Sequence, residues 1–314
     1  MKKIIILLLS ILSYQATFAQ KNKVKISKEI TKDDDATSVF VIGDWGRKGE
    51  FYQQKLANTM GKVAERIEPE FIISTGDNFY PNGVASVQDP QWMSSFENVY
   101  SSFALNCPWY VVLGNHDYRG NIQAEIEYTN ISRRWEMPSH YFSKEIELED
   151  GSRALFVYLD TNPLNDEYYE EEKYKDKVAS QDTTKQLQWL DQTLANSTAD
   201  WKIVTGHHPM YTGGKRADEP NYIKNHLDHI FSKHQVDLYL AGHEHDLQLI
   251  KPEGHTYHIV SGAGSEIRTT GRMEHTVFAE SIQGFAMLEM KKETIILSFI
   301  NHKGEKNFSQ IIRK

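Results

Sequence analysis

The 314-residue chain has a single cysteine, Cys107. One thiol cannot close an intrachain disulfide, so the fold must rest on its own packing. Cys107 precedes Pro108 at the start of a predicted strand and reads as a packed side chain rather than a nucleophile. After the first dozen residues no apolar run is long enough to cross a bilayer, so no stable membrane insertion is expected. Positive charge is also in deficit. Lys and Arg number 35 against 43 Asp and Glu, a formal net charge of −8. Such a chain is a poor binder of nucleic-acid phosphates, and no nucleic-acid partner is expected. Internal repeats and linker-like stretches are missing as well, which leaves enough chain for one large core.

What is present begins with an export signal. Lys2 and Lys3 precede an apolar run over 4–12, then Thr17-Phe18-Ala19. Residues 1–19 read as a signal peptide cleaved after Ala19, giving a secreted or periplasmic protein. Residues 20–37 are polar, include Asp33-Asp34-Asp35, and read as a flexible leader; 38–314 read as a single domain. Strands are predicted at 38–42, 71–75, 109–113, 202–205 and 236–241, with short strands at 256–260, 285–290, 294–300 and 308–312. Helices are predicted at 51–67, 89–100, 121–135, 183–195 and 221–233. This alternation gives an α/β fold, a two-sheet β-sandwich flanked by helices. Residues 162–181, which include Asp166-Glu167-Tyr168-Tyr169-Glu170-Glu171-Glu172, read as an exposed charged loop or short helix.

Five of the predicted strands run into a glycine followed by a metal-ligand residue. The segments are Gly43-Asp44, Gly76-Asp77-Asn78-Phe79-Tyr80, Gly114-Asn115-His116-Asp117, Gly206-His207-His208 and Gly242-His243-Glu244-His245. A glycine lets the backbone turn sharply off a strand, and the carboxyl ends of strands in such sheets border the ligand crevice. Each segment alone is weak; the five together make one site.

That set resembles the metallophosphoesterases. Their first motif usually carries a ligand His where this chain has Gly46, and Tyr80, three residues after Asp77, stands in its place. This substitution marks a resemblance to the purple acid phosphatases, in particular the small tartrate-resistant form. Pro-Trp-Tyr-Val at 108–111, Ile-Ser-Arg-Arg-Trp at 131–135, Ser-Gly-Ala-Gly at 261–264 and Gly-Phe-Ala at 284–286 extend it over most of the chain.

The resemblance implies the four-layer αββα metallophosphoesterase fold and a binuclear centre. Asp77 would bridge two ions, the first also held by Asp44, Tyr80 and His245, the second by Asn115, His207 and His243. Hard anionic oxygens with a tyrosinate favour Fe(III) at the first site; a neutral amide with two imidazoles suits Fe(II), Zn or Mn at the second. The implied activity is acid phosphatase: a metal-bound hydroxide attacks small phosphate monoesters with no covalent enzyme intermediate. His116 would protonate the leaving group or hold the phosphate, and Asp117 would orient His116 or the shell of the second metal. His208 would point beside the cleft and contact the substrate. Lys215 or Arg216 would bind phosphate or lie in an exposed turn. Glu244 should point away from the metals and takes no role. One departure is plain: the second acid histidine expected past the Gly-His-x-Pro motif is replaced by Thr212-Gly213-Gly214-Lys215-Arg216. A phosphodiesterase or nucleotide pyrophosphatase on the same scaffold, and an exported metal- or phosphate-binding protein, are the alternatives. Oligomeric state stays open.

Overall fold

The structure is a computed structural model and describes residues 25–314. The signal peptide over 1–19 and the first residues of the leader lie outside the described residues. Fourteen strands are described in chain order: β1 (Thr37–Ile42), β2 (Phe71–Ser74), β3 (Trp109–Val111), β4 (Trp135–Glu136), β5 (Phe142–Glu147), β6 (Arg153–Tyr158) and β7 (Trp201–Thr205), then β8 (Leu238–Ala241), β9 (Leu247–Ile250), β10 (Tyr257–Ser261), β11 (Thr276–Glu280), β12 (Gly284–Lys291), β13 (Thr294–Asn301) and β14 (Lys306–Arg313). They form two seven-stranded sheets, ordered β14-β13-β12-β1-β2-β3-β4 and β11-β9-β10-β8-β7-β6-β5.

Alternation within the strands explains the layers. Val39 and Val41 of β1 point between the sheets and meet Ile203, Leu238, Leu240 and Ile259 of the second sheet. Phe40 and Ile42 point to the other face, where Leu56, Met60, Val63 and Ile67 cover them. Those four lie on α1 (Gln53–Ile67) and are fully buried, each contributing roughly 1.5–3 kcal/mol. A strand buried on both faces reads as a continuous apolar run, and β1 does. The outer face of the second sheet carries Val204 and Tyr239 against Leu190, Leu194, Leu227 and Phe231. These belong to α4 (Thr183–Asn196) and α5 (Tyr222–His234), which follow two short helices, α2 (Ile122–Tyr128) and α3 (Lys175–Ala179). The order of layers is helix, sheet, sheet, helix.

Several expectations need correction. The leader is not loose from residue 25 on. Ile26 and Ile30 are buried beside α1, and Arg66 Nη1 donates to Ser27 O at 2.7 Å and Ile30 O at 2.9 Å. The helix expected from residue 51 starts at Gln53, because Phe51 and Tyr52 take left-handed φ of 50° and 71°. The helix expected over 121–135 ends at Tyr128. Trp135 instead pairs opposite Trp109 in β4 and donates its indole N–H to Glu125 O at 2.8 Å. Residues 89–100 form a π-helical turn over Trp92–Glu97 rather than an α-helix. The β5–β6 hairpin was not anticipated; β5 is an edge strand of mostly exposed polar residues.

The charged segment 162–181 is exposed only on its outer side. Leu164, Tyr168, Tyr174 and Val178 are buried, and α3 lies within it. Its acidic residues hide an apolar and aromatic underside.

Candidate metal centre

Asp44 follows β1, Asp77 follows β2, Asn115 follows β3, His207 follows β7, and His243 and His245 follow β8. β1, β2 and β3 run parallel, as do β7 and β8, so these carboxyl ends from both sheets border one crevice. Asp44, Asp77 and His243 have left-handed φ of 58°, 52° and 67°. Such conformations persist for non-glycine residues where surrounding bonds hold them. Here Asp44 N donates to Gly76 O at 3.0 Å, and His243 N donates to Asp44 Oδ2 at 2.9 Å. Close approach explains two of the glycines. A Cβ on Gly76 would lie 2.7 Å from His207 Nδ1, and one on Gly242 would lie 2.5 Å from Asp44 Oδ2.

The donor atoms gather in two groups, and Asp77 belongs to both. Tyr80 Oη lies 3.0 Å from Asp77 Oδ2, 3.1 Å from Asp44 Oδ1 and 3.2 Å from His245 Nε2. On the other side His207 Nε2 lies 3.5 Å from Asp77 Oδ1, 3.3 Å from Asn115 Oδ1 and 3.1 Å from His243 Nδ1. His207 Nδ1 faces the Thr75 carbonyl at 2.9 Å and donates to it, so Nε2 is the nitrogen turned toward the site. Two carboxylates, a phenol, an amide oxygen and three imidazoles that converge in a buried place form a donor set suited to cations. The residues present therefore fit a metal centre with two positions.

Electrostatics agree. Burial pushes Asp44 up to about 7, with His207 partly offsetting it. Burial also acts to raise Asp77, but His207 and His116 outweigh it and hold this carboxyl below its usual range. Burial, Asp44 and Asp77 push the Tyr80 phenol well above its ordinary value. In that environment the phenol ionises only beside a strong positive charge.

His116 is partly exposed at the rim. Its Nδ1 lies 2.6 Å from Pro81 O and 3.1 Å from Arg119 Nη1. The closer carbonyl requires Nδ1 to carry the proton, so Nε2, 3.9 Å from Asp77 Oδ2, is the free nitrogen. Burial lowers the ring to about 4, with Asp77 opposing.

Asp117 does not orient His116. Its carboxylate accepts Gly114 N at 2.8 Å, Asn78 N at 2.9 Å and Phe79 N at 3.1 Å, and so ties together the turns that carry Asp77 and Asn115. His208 also differs from expectation. Its donor atoms lie within 4.8 Å of those of His207 and His243, yet Nδ1 bonds Thr161 Oγ1 and Nε2 bonds Tyr168 Oη, both at 2.8 Å. With both nitrogens engaged, it forms a wall of the cleft rather than a hand on the substrate. Arg216 is partly buried and lines that cleft with His208, Thr212 and Tyr222.

Sequence reasoning missed Glu244 and, in the charged segment, Tyr168 and Tyr174. Glu244 is fully buried between the histidines. It accepts Lys215 N at 3.0 Å and Arg216 N and Nη1, each at 3.2 Å, which fixes the 213–216 turn. A Cβ on Gly214 would lie 2.6 Å from its carboxylate, so the paired glycines were the available signal. Tyr174 Oη accepts Asn115 Nδ2 at 3.0 Å and Arg119 Nη2 at 2.8 Å.

Residues 37–247 match the family described as calcineurin-like phosphoesterase. The chain is 39% identical over 245 residues to purple acid phosphatase 17 of Arabidopsis thaliana, covering 76% of this chain and 71% of the relative. It is 31% identical over 293 residues to rabbit (Oryctolagus cuniculus) tartrate-resistant acid phosphatase type 5, covering 87% and 90%. The chain belongs to the purple acid phosphatases. Among solved structures, purple acid phosphatase PPD1 of yellow lupin superposes with a TM-score of 0.67 at 16% identity, over 93% of this chain and 55% of that one, which shows the shared fold. GAP50, described as the anchor in the inner membrane complex of Plasmodium, superposes with a TM-score of 0.76 at 25% identity, over 88% and 89%. A chain described as an anchor shares this architecture, so catalysis in this purple acid phosphatase must be argued from its side chains.

Proposed function

We propose that the protein is an exported acid phosphatase that hydrolyses small phosphate monoesters at a two-metal site. The observation that carries this is the division of the Asp77 oxygens, Oδ2 toward Tyr80 and Oδ1 toward His207. Asp44, Tyr80 and His245 would complete an Fe(III) position with Asp77; Asn115, His207 and His243 would complete a position for Fe(II), Zn or Mn. When bound, the metals supply Lewis acidity to the phosphoryl oxygens and acidify water.

The rest is done by the chain. Asp44 and Asp77 are buried carboxylates that would hold the cations in place. His116 stands at the rim with Nε2 directed toward the same crevice, placed to give a proton to the departing alkoxide. Its lowered pKa keeps it neutral at pH 7 in the free protein, and a phosphate dianion beside it would raise that value. Arg216, pinned by Glu244, offers a fixed positive charge at the edge of the cleft. Export rests on the signal-peptide pattern over 1–19; among the described residues no helix is long and apolar enough to cross a membrane.

Metal analysis of the purified protein, with its visible spectrum and its rates on p-nitrophenyl phosphate and bis-p-nitrophenyl phosphate, tests the proposal. Iron, colour and preference for the monoester are expected. A preference for the diester would move the assignment to phosphodiesterase, and a metal-loaded protein inert on both would leave a binding protein.

A further inference from the structure

Arg47 lies outside the ligand set but against one of its members. The turn that carries it is fixed from behind. Arg47 N and Gly49 N both donate to Gln53 Oε1, at 3.0 and 2.7 Å, and Lys48 N donates to Ser95 Oγ at 3.0 Å. So held, the guanidinium carbon sits 3.9 Å from the centre of the Tyr80 ring. Arg47 Nη2 pairs with Glu266 Oε2 at 2.8 Å. Its Nε is buried and has no acceptor. A guanidinium N–H left without an acceptor is costly, and an aromatic face, above all an anionic one, is what compensates it.

We propose that Arg47 is an electronic tuning residue, whose stacked guanidinium limits how strongly the Tyr80 oxygen donates to the first metal, with Glu266 setting how much of that charge the ring feels. The inference rests on Tyr80 being an Fe(III) ligand, as proposed above. A positive charge over the ring stabilises the filled orbitals of the phenolate. Moving an electron from ring to iron then takes more energy, so the charge-transfer band lies at shorter wavelength. Weaker donation also makes the trivalent ion easier to reduce, which raises its potential.

Two variants carry opposite signs. Arg47→Met keeps a long stem on the ring and removes the charge. Its band is expected at longer wavelength than that of the wild type, with a lower potential. Glu266→Gln leaves the guanidinium without its counter-charge. Its band is expected at shorter wavelength, with a higher potential. Glu266 is 45% exposed, so this second variant does not depend on the core tolerating a change. Both are compared with the wild type at equal iron content, by visible absorption and by redox titration. Opposite displacements with these signs support the tuning role. An unmoved band in both, displacement in the same direction, or opposite displacements with these signs reversed overturns it and leaves Arg47 as packing. A colourless iron-loaded wild type overturns the Tyr80 reading itself and the tuning with it.

Discussion

The Tyr174 hydroxyl accepts the Asn115 amide N–H at 3.0 Å, and this decides which end of that amide faces His207. With Nδ2 committed to Tyr174, Oδ1 is the atom turned toward the site. Tyr174→Phe keeps the ring and removes the acceptor. Affinity for the second metal is expected to fall about 10- to 100-fold, read by metal titration, while the visible band of the first position stays. Unchanged affinity for the second metal would leave Tyr174 as packing alone.

Asp77→Ala is expected to remove both metals and all activity, because its two oxygens serve two groups of ligands. Asp44→Ala, by contrast, is expected to weaken chiefly the first. Elemental analysis separates the cases. Retention of one full metal equivalent in Asp77→Ala would remove that residue from the shared position.

His116→Ala is expected to keep the metal content and slow hydrolysis. General acids contribute roughly 10²–10⁴-fold, and a basic alkoxide needs the proton more than p-nitrophenolate does. The loss should therefore be larger on alkyl phosphates. Equal losses on both classes would take His116 out of the proton-donor role.

Ile30→Ala tests the packed leader. Ile30 is fully buried, and removing such a side chain costs about 2–5 kcal/mol. Denaturant unfolding should show it. A midpoint like that of the wild type would mean that residues 25–36 contribute little.

Cys107 should resist modification. Burial pushes its thiol up to about 11, so little thiolate exists near neutral pH. Reaction with a disulfide reagent at pH 8 is expected to be slow in the native protein and fast once it is unfolded. Comparable rates would show the thiol to be accessible.

Much of the site could be read from the chain because its strands are buried on both faces, so their apolar runs stand out and end at Asp44, Asp77, Asn115, His207 and His243. Tyr80 was singled out by the family resemblance, and the structure places its hydroxyl beside Asp77 and Asp44. What escaped depends on contacts across the fold. Nothing next to Asp117 shows that its carboxylate turns back to the amides of Asn78 and Phe79, 39 and 38 residues away. Tyr168 and Tyr174 were masked by the acidic residues around them, since averaged composition conceals which side chains face inward. The β5 sequence Phe142–Glu147 has too little apolar alternation to announce itself, and its strand character comes from its partner β6.

The two donor groups have a mechanical consequence. Asp44, Asp77, Tyr80 and Asn115 come from turns of one sheet, while His207, His243 and His245 come from turns of the other. A bound pair of ions would therefore clamp the open edge of the sandwich, in a chain whose one thiol can form no internal cross-link. Ligand binding to the folded state alone adds RT ln(1 + [L]/Kd) to stability, so chelation should loosen the sheets from each other at this edge first. Amide exchange after metal removal would be expected to rise in the turns at 43–46, 76–80 and 242–246, while the centres of β1 and β8 stay protected.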